Sequence, residues 1–136
     1  MKRIIFSILS ILVVALTCNS QTFTVSQLKN NNWERFSPQV TGEGETIKFT
    51  NTQYIIYLTY PRLNKSITQT YPYYLSDTKT LTFDNSQVGK NTKGKYIVVW
   101  VEQYQQTYCF DLISVSSDFL KLSFCEGEMT TYKRKM

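Results

Sequence analysis

The side chains of this sequence that could do chemistry are few, and one type is missing altogether. There is no histidine among the 136 residues, which removes the commonest general base, the commonest metal ligand and the usual partner of a nucleophilic serine or cysteine. Ser114, Ser116 and Ser117 therefore have nothing to activate them, and the chain holds neither a Gly-x-Ser-x-Gly elbow nor a phosphate-cradling glycine loop. Glu43 and Glu45 flank Gly44, and Glu126 and Glu128 flank Gly127. Such pairs have the makings of a weak calcium chelate or a glycosidase dyad, but carboxylates around a glycine read first as solvated turns. The sequence predicts no catalytic residue, no metal and no cofactor, hence a protein that is not an enzyme.

The three cysteines divide by position. Cys18 stands just behind an apolar run near the N-terminus, which leaves Cys109 and Cys125 as a pair. Residues 108–115 and 119–125 both alternate in polarity, and Ser116, Ser117 and Asp118 between them are turn formers. A turn centred on Ser117 sets Cys109 opposite Cys125, Phe110 opposite Phe124 and Leu112 opposite Leu122. One face of this hairpin is then wholly apolar, and a Cys109–Cys125 disulfide lies on the other. Closing so short a loop stabilises by about 2 to 3 kcal/mol at most. A reactive thiol pair would need a cationic or helix-terminal neighbour, and none is nearby in sequence.

Export follows from the first twenty residues. Lys2 and Arg3 precede an apolar or small-residue run at 4–16, followed by Asn19, Ser20 and Gln21. The run is shorter than the about 20 residues a bilayer span needs, so it reads as a signal peptide, 1–20, ahead of one domain at 21–136. Two processing outcomes stay open: ordinary cleavage before Gln21, or lipidation of Cys18, which would be the only attachment to a membrane. Both place the protein in the periplasm, at the outer membrane or outside the cell. The formal charge is +5, but Lys133, Arg134 and Lys135 form a terminal tail, and no aromatic residues alternate with Lys90, Lys93 and Lys95. Nucleic-acid binding is not expected.

The elements that must position everything else are strands. Strand signals mark residues 33–36, 46–50, 54–60, 68–75, 80–84, 96–102, 108–115, 119–125 and 128–134, the run at 96–102 being apolar on both faces, with one short helical turn around residues 24–32 capped by Ser26. Short polar turns join most of these runs, and no amphipathic helical window of useful length exists. The expectation is all-β: an antiparallel up-and-down barrel of about eight strands, whose closure removes edges that a tyrosine-rich, weakly charged chain would otherwise expose.

Leu28 and Trp33 near the start, the runs TIKFT and TLTFD, and the terminal stretch FDLISVSSDFLKLSF followed by Tyr132 together resemble the small lipocalin-like domain proteins of Bacteroidetes. The resemblance implies a calycin-type barrel plugged at one end by a tryptophan, with room for a ligand of unstated identity. The expected interior comprises Trp33, Phe49, Ile56, Leu58, Phe83 and Val98, together with Trp100, Phe110, Leu112, Leu122 and Phe124. Within it Trp33, Trp100 and Phe110 would line a pocket for a small hydrophobic ligand, with Tyr54, Tyr74 and Tyr108 framing its mouth. The competing expectation is a barrel filled by its own side chains, working as an inhibitor or a surface-complex subunit through exposed tyrosines. The leading expectation includes, beside ligand binding, a role as an accessory component of the cell envelope, and an enzyme ranks third.

Overall fold

Alternating polarity along nearly every run leaves each strand one face to bury, and the chain buries those faces against one another by closing on itself. The computed structural model describes residues 21–36, 44–125 and 128–136. The expected leader at 1–20 with Cys18, and the carboxylates Glu43 and Glu126, lie outside the described residues, as does the side chain of Cys125. The elements are β1 (Phe23–Thr24), α1 (Val25–Lys29), β2 (Trp33–Arg35), β3 (Gly44–Phe49), β4 (Gln53–Tyr60) and β5 (Lys65–Ser76). They continue with β6 (Lys93–Gly94), β7 (Tyr96–Val101), β8 (Gln106–Val115), β9 (Phe119–Cys125) and β10 (Glu128–Arg134). Eight strands form a closed barrel in the order β2-β3-β4-β5-β7-β8-β9-β10, with β10 pairing back onto β2. All pairings are antiparallel between strands successive around the barrel, which is the expected up-and-down architecture. The remaining strands, β1 and β6, pair as a small separate ribbon.

Register settles which side chains point inward. Ile47 lies opposite both Trp33 and Ile56, Ile97 opposite Phe110, and Leu112 opposite Leu122. The hairpin of β8 and β9 has the expected register at Asp111↔Ser123 and Leu112↔Leu122, then slips by one residue to Ser114↔Lys121. Ile113 is the extra residue of this bulge and is turned outward.

One end of the barrel is stoppered. Helix α1 buries Val25 and Leu28, and Trp33, fully buried, donates its indole N–H to the Leu28 carbonyl at 2.9 Å. The helix cap is Thr24 rather than Ser26. Emerging from β1, Thr24 is already extended, as an N-cap residue must be. Its hydroxyl accepts from Gln27 N at 3.3 Å while the Gln27 side chain accepts from Thr24 N at 2.8 Å, a reciprocal box that Ser26, inside the first turn, cannot make. Ribbon and barrel meet at Gly94, where a Cβ atom would collide with the backbone of Ser76.

Two expectations fail in the connection between β5 and β7. Residues 80–84 form no strand: Thr80 Oγ1 accepts from Thr82 N at 3.2 Å, and Asp84 Oδ1 accepts from Ser86 N at 3.0 Å. These side-chain bonds offer the backbone local turns in place of a ladder. In addition, Phe83, Val98 and Trp100 do not face the barrel interior. Strand β7 is apolar on both faces, so its inward set is Ile97, Val99 and Val101 and its outward set includes Val98 and Trp100. Phe83 packs from outside on Tyr74 and Trp100, with ring centroids 5.2 and 6.1 Å apart.

Among the described residues no disulfide is seen, and the side chain of Cys125, the expected partner of Cys109, lies outside them. Cys109 carries a free, half-buried thiol. The ladder of β8 with β9 runs from Asp111↔Ser123 to Val115↔Leu120 and ends before Cys109, whose register partner on the other edge of β8 is Val98 of β7. Burial pushes this thiol above its ordinary range; a hydrogen bond with the Thr80 backbone opposes that and the nearby Asp111 adds to it.

Candidate functional site

Following the inward rows of side chains away from Trp33 leads from tight packing to open space. The row of β3 reads Phe49, Ile47, Glu45; that of β5 reads Leu75, Tyr73, Tyr71; that of β8 reads Leu112, Phe110, Tyr108. In each the last residue is at the end opposite α1, where the barrel contains a cavity of about 340 Å³. Its walls are apolar and mostly aromatic. Ile56, Val99 and Val101 form the aliphatic part, and Tyr54, Tyr71, Tyr108, Phe110 and Phe124 supply ring faces, with Tyr104 at the rim. Tyr104 sits on the single 3-10 turn between β7 and β8 and is exposed. The turn closes through Gln105 in the left-handed region, whose amide donates to the carbonyl and carboxylate of Glu102.

The rings are fixed by one another. Phe110 meets Phe124 edge to face at 4.6 Å and Tyr54 at 6.2 Å, and Tyr54 stacks on Phe49 at 5.2 Å. These are favoured aromatic separations, so the walls are ordered before anything binds.

Glu45 is the charged residue of the lining. It accepts from the Tyr132 hydroxyl at 2.8 Å on Oε1 and from Arg35 Nη1 at 3.3 Å on Oε2. Tyr132 is opposite Arg35 in the register of β10 with β2, which explains why the two donors converge on one carboxylate. Tyr54 differs. It is only 3% exposed, and its hydroxyl has no hydrogen-bond partner among the described residues. Burial, then the charge of Glu45, then Tyr71 push its ionisation far above the ordinary tyrosine value. Burial likewise raises Tyr132, with Tyr54 and Glu45 adding, and raises Tyr71, with Tyr104 and Tyr108 adding. All three therefore stay neutral hydroxyls at any ordinary pH.

Of the six expected pocket residues, Tyr54, Tyr108 and Phe110 are brought together here. Trp33 is at the far end as part of the stopper. Tyr74 and Trp100 point to the outer face of the barrel, Tyr74 buried there under Phe83: the Tyr74 hydroxyl accepts from Asp84 N at 3.2 Å, and the Trp100 indole donates to Glu102 Oε2 at 2.6 Å. Sequence reasoning missed Glu45, Tyr71, Tyr104, Val99 and Val101. Two of these had a signal. Counting back by twos from Ile47 reaches Glu45, and from Tyr73 reaches Tyr71.

Chemically, this arrangement offers flat ring faces, one carboxylate with lone pairs to spare, and one hydroxyl in want of a partner. Comparison with known protein families, with characterised proteins and with solved structures finds no match.

Proposed function

We propose that this protein is an exported, lipocalin-like carrier that holds one small hydrophobic ligand in the open half of its barrel. The observation that carries the reading is the cavity of about 340 Å³ lined by a buried tyrosine whose hydroxyl has no partner among the described residues. A volume near the lower end of the usual range for ligand sites suits a small molecule. A buried hydroxyl left unpaired costs about 1 to 3 kcal/mol, and a bound polar group would relieve that cost. Export rests on the sequence of residues 1–20, and the mass of the N-terminus in protein purified from its source would separate cleavage before Gln21 from a lipid on Cys18.

The test is titration with the neutral fluorescent probe N-phenyl-1-naphthylamine. Saturable, one-to-one enhancement that disappears in Ile56→Trp, where a larger side chain fills the cavity, is the expected result. Enhancement that persists in Ile56→Trp, or no binding by either protein, would overturn the reading. It would favour the alternative, an inhibitor or surface-complex subunit that works through its outer face.

A further inference from the structure

The polar groups of the cavity discriminate between classes of ligand. Fatty acids and similar anions find no counter-charge there: among the described residues no lysine or arginine lines the cavity, and the charged group that does is the carboxylate of Glu45. Arg35 offsets that charge from one side, but the Arg35 side chain is 40% exposed against 17% for Glu45. Water screens the guanidinium more than the carboxylate, so the interior feels a net negative field. Each Glu45 oxygen accepts one hydrogen bond from the protein, and a carboxylate has about four lone-pair sites, leaving acceptor capacity on both. The Tyr54 oxygen adds a further acceptor, and the faces of Tyr71, Tyr108 and Phe110 present negative potential to whatever lies between them.

Resting on the reading of the cavity as a ligand site, we infer that the ligand carries a protonated primary or secondary amine on an apolar body. The ammonium N–H groups donate to Glu45 and Tyr54, the apolar body lies against Ile56, Val99 and Phe124, and the rings of Tyr71 and Tyr108 cover the charge. An apolar cavity without this acceptor set would have no reason to prefer a cation, since removing one from water is costly unless it is both paired and hydrogen-bonded.

The experiment compares three compounds of matched shape by isothermal titration calorimetry at neutral pH: 2-phenylethylammonium, uncharged propylbenzene and anionic 3-phenylpropionate. The ammonium is expected to bind at least tenfold more tightly than either of the others, and Glu45→Gln to erase that preference. Should Glu45→Gln fail to fold, Tyr71→Leu serves in its place, because it removes a ring face while leaving Tyr132 and Arg35 on the carboxylate; the preference should then fall at least threefold. Propylbenzene binding as well as the ammonium, 3-phenylpropionate binding best, or a preference untouched in both variants would overturn the amine assignment while leaving the cavity a ligand site. If none of the three compounds binds, and N-phenyl-1-naphthylamine does not either, the ligand-site reading itself falls.

Discussion

The two ends of the barrel are built from the same strands and behave as different materials. At the stoppered end the buried polar atoms are matched: the Trp33 indole donates to Leu28, and the Tyr73 hydroxyl donates to the Thr50 carbonyl at 2.6 Å. At the open end Tyr54 is as deeply buried as its counterparts, yet its hydroxyl lacks a partner among the described residues. Leu112 and Tyr108 are four residues apart on β8; one is buried in the core and the other is a wall of the cavity. Stability and binding capacity are thus distributed along the axis of the barrel rather than between separate elements. The stopper can be packed to the density of a protein interior because nothing has to enter there.

The sharpest way to break this comparison is to remove its anchor. Trp33→Ala deletes a fully buried indole and its hydrogen bond, and should cost about 3 to 5 kcal/mol, read as a fall in the urea midpoint. Tyr108→Ala at the mouth should cost much less, because its ring already borders open space and a smaller side chain leaves no new closed void. Equal losses from the two variants would mean that the ends are equally packed.

Alkaline titration gives the next largest effect. Burial raises the ionisation of Tyr54, Tyr73 and Tyr132 above the ordinary value of 10.0. Below pH 10 these groups are protonated in folded and unfolded chains alike, and their contribution is complete. Above pH 10 the unfolded chain loses protons that the folded one retains, so stability falls as pH rises. Each such tyrosine contributes a slope of up to ~1.4 kcal/mol per pH unit. Tyr54→Phe should not lower stability at pH 7, since it removes an unpaired buried hydroxyl, and should flatten the loss above pH 10. An unaltered alkaline slope in that variant would show that the Tyr54 hydroxyl is accessible to water, contrary to its burial.

A third variant isolates the hydrogen bond alone. Tyr73→Phe retains the ring and forfeits the bond to Thr50, for a loss of about 1 kcal/mol. Tyr54→Phe, which forfeits no hydrogen bond to a described residue, should lose nothing and gain up to the cost of the unpaired hydroxyl. Thermal unfolding of the pair measures the contrast directly, and a larger loss from Tyr54→Phe would reverse the assignment of which end is satisfied.

How much of this was legible in the sequence follows from periodicity. The barrel was legible because a period of two recurs in nearly every run, and the hairpin of β8 and β9 was legible to the register of Leu112 with Leu122. Strand β7 was not: with Ile97, Val98, Val99 and Trp100 in succession, polarity does not distinguish inside from outside, and Trp100 and Val98 were placed on the wrong face. The run at 80–84 alternates like a strand, but its Thr80 and Asp84 hydroxyl and carboxylate bind the local backbone instead. Half of the cavity lining was legible, through Tyr54, Tyr108 and Phe110 as pocket residues and Ile56 and Phe124 as interior ones. Glu45 reads as a loop residue because it is charged and follows Gly44, although its spacing from Ile47 and Phe49 points it inward. The convergence of Tyr132 and Arg35 on that carboxylate depends on β10 closing against β2 across most of the chain, which local pattern does not record.

The smallest effect on stability belongs to the rim. Tyr104 is 64% exposed and occupies a turn whose geometry is kept by Gln105 and Glu102 rather than by its own ring. Tyr104→Ser should therefore change the unfolding free energy by no more than about 0.5 kcal/mol. The same ring borders the entrance, so its loss should speed dissociation of N-phenyl-1-naphthylamine while leaving the association rate almost unaltered, since affinity differences among variants of one site lie mainly in the off-rate. Stopped-flow fluorescence separates the two rates. A drop in stability of more than 1 kcal/mol would make Tyr104 part of the packed structure, moving the boundary between the two ends of the barrel up to its rim. A change in dissociation at constant stability would set that boundary below Tyr104, between the residues that hold the barrel together and those that only meet what enters it.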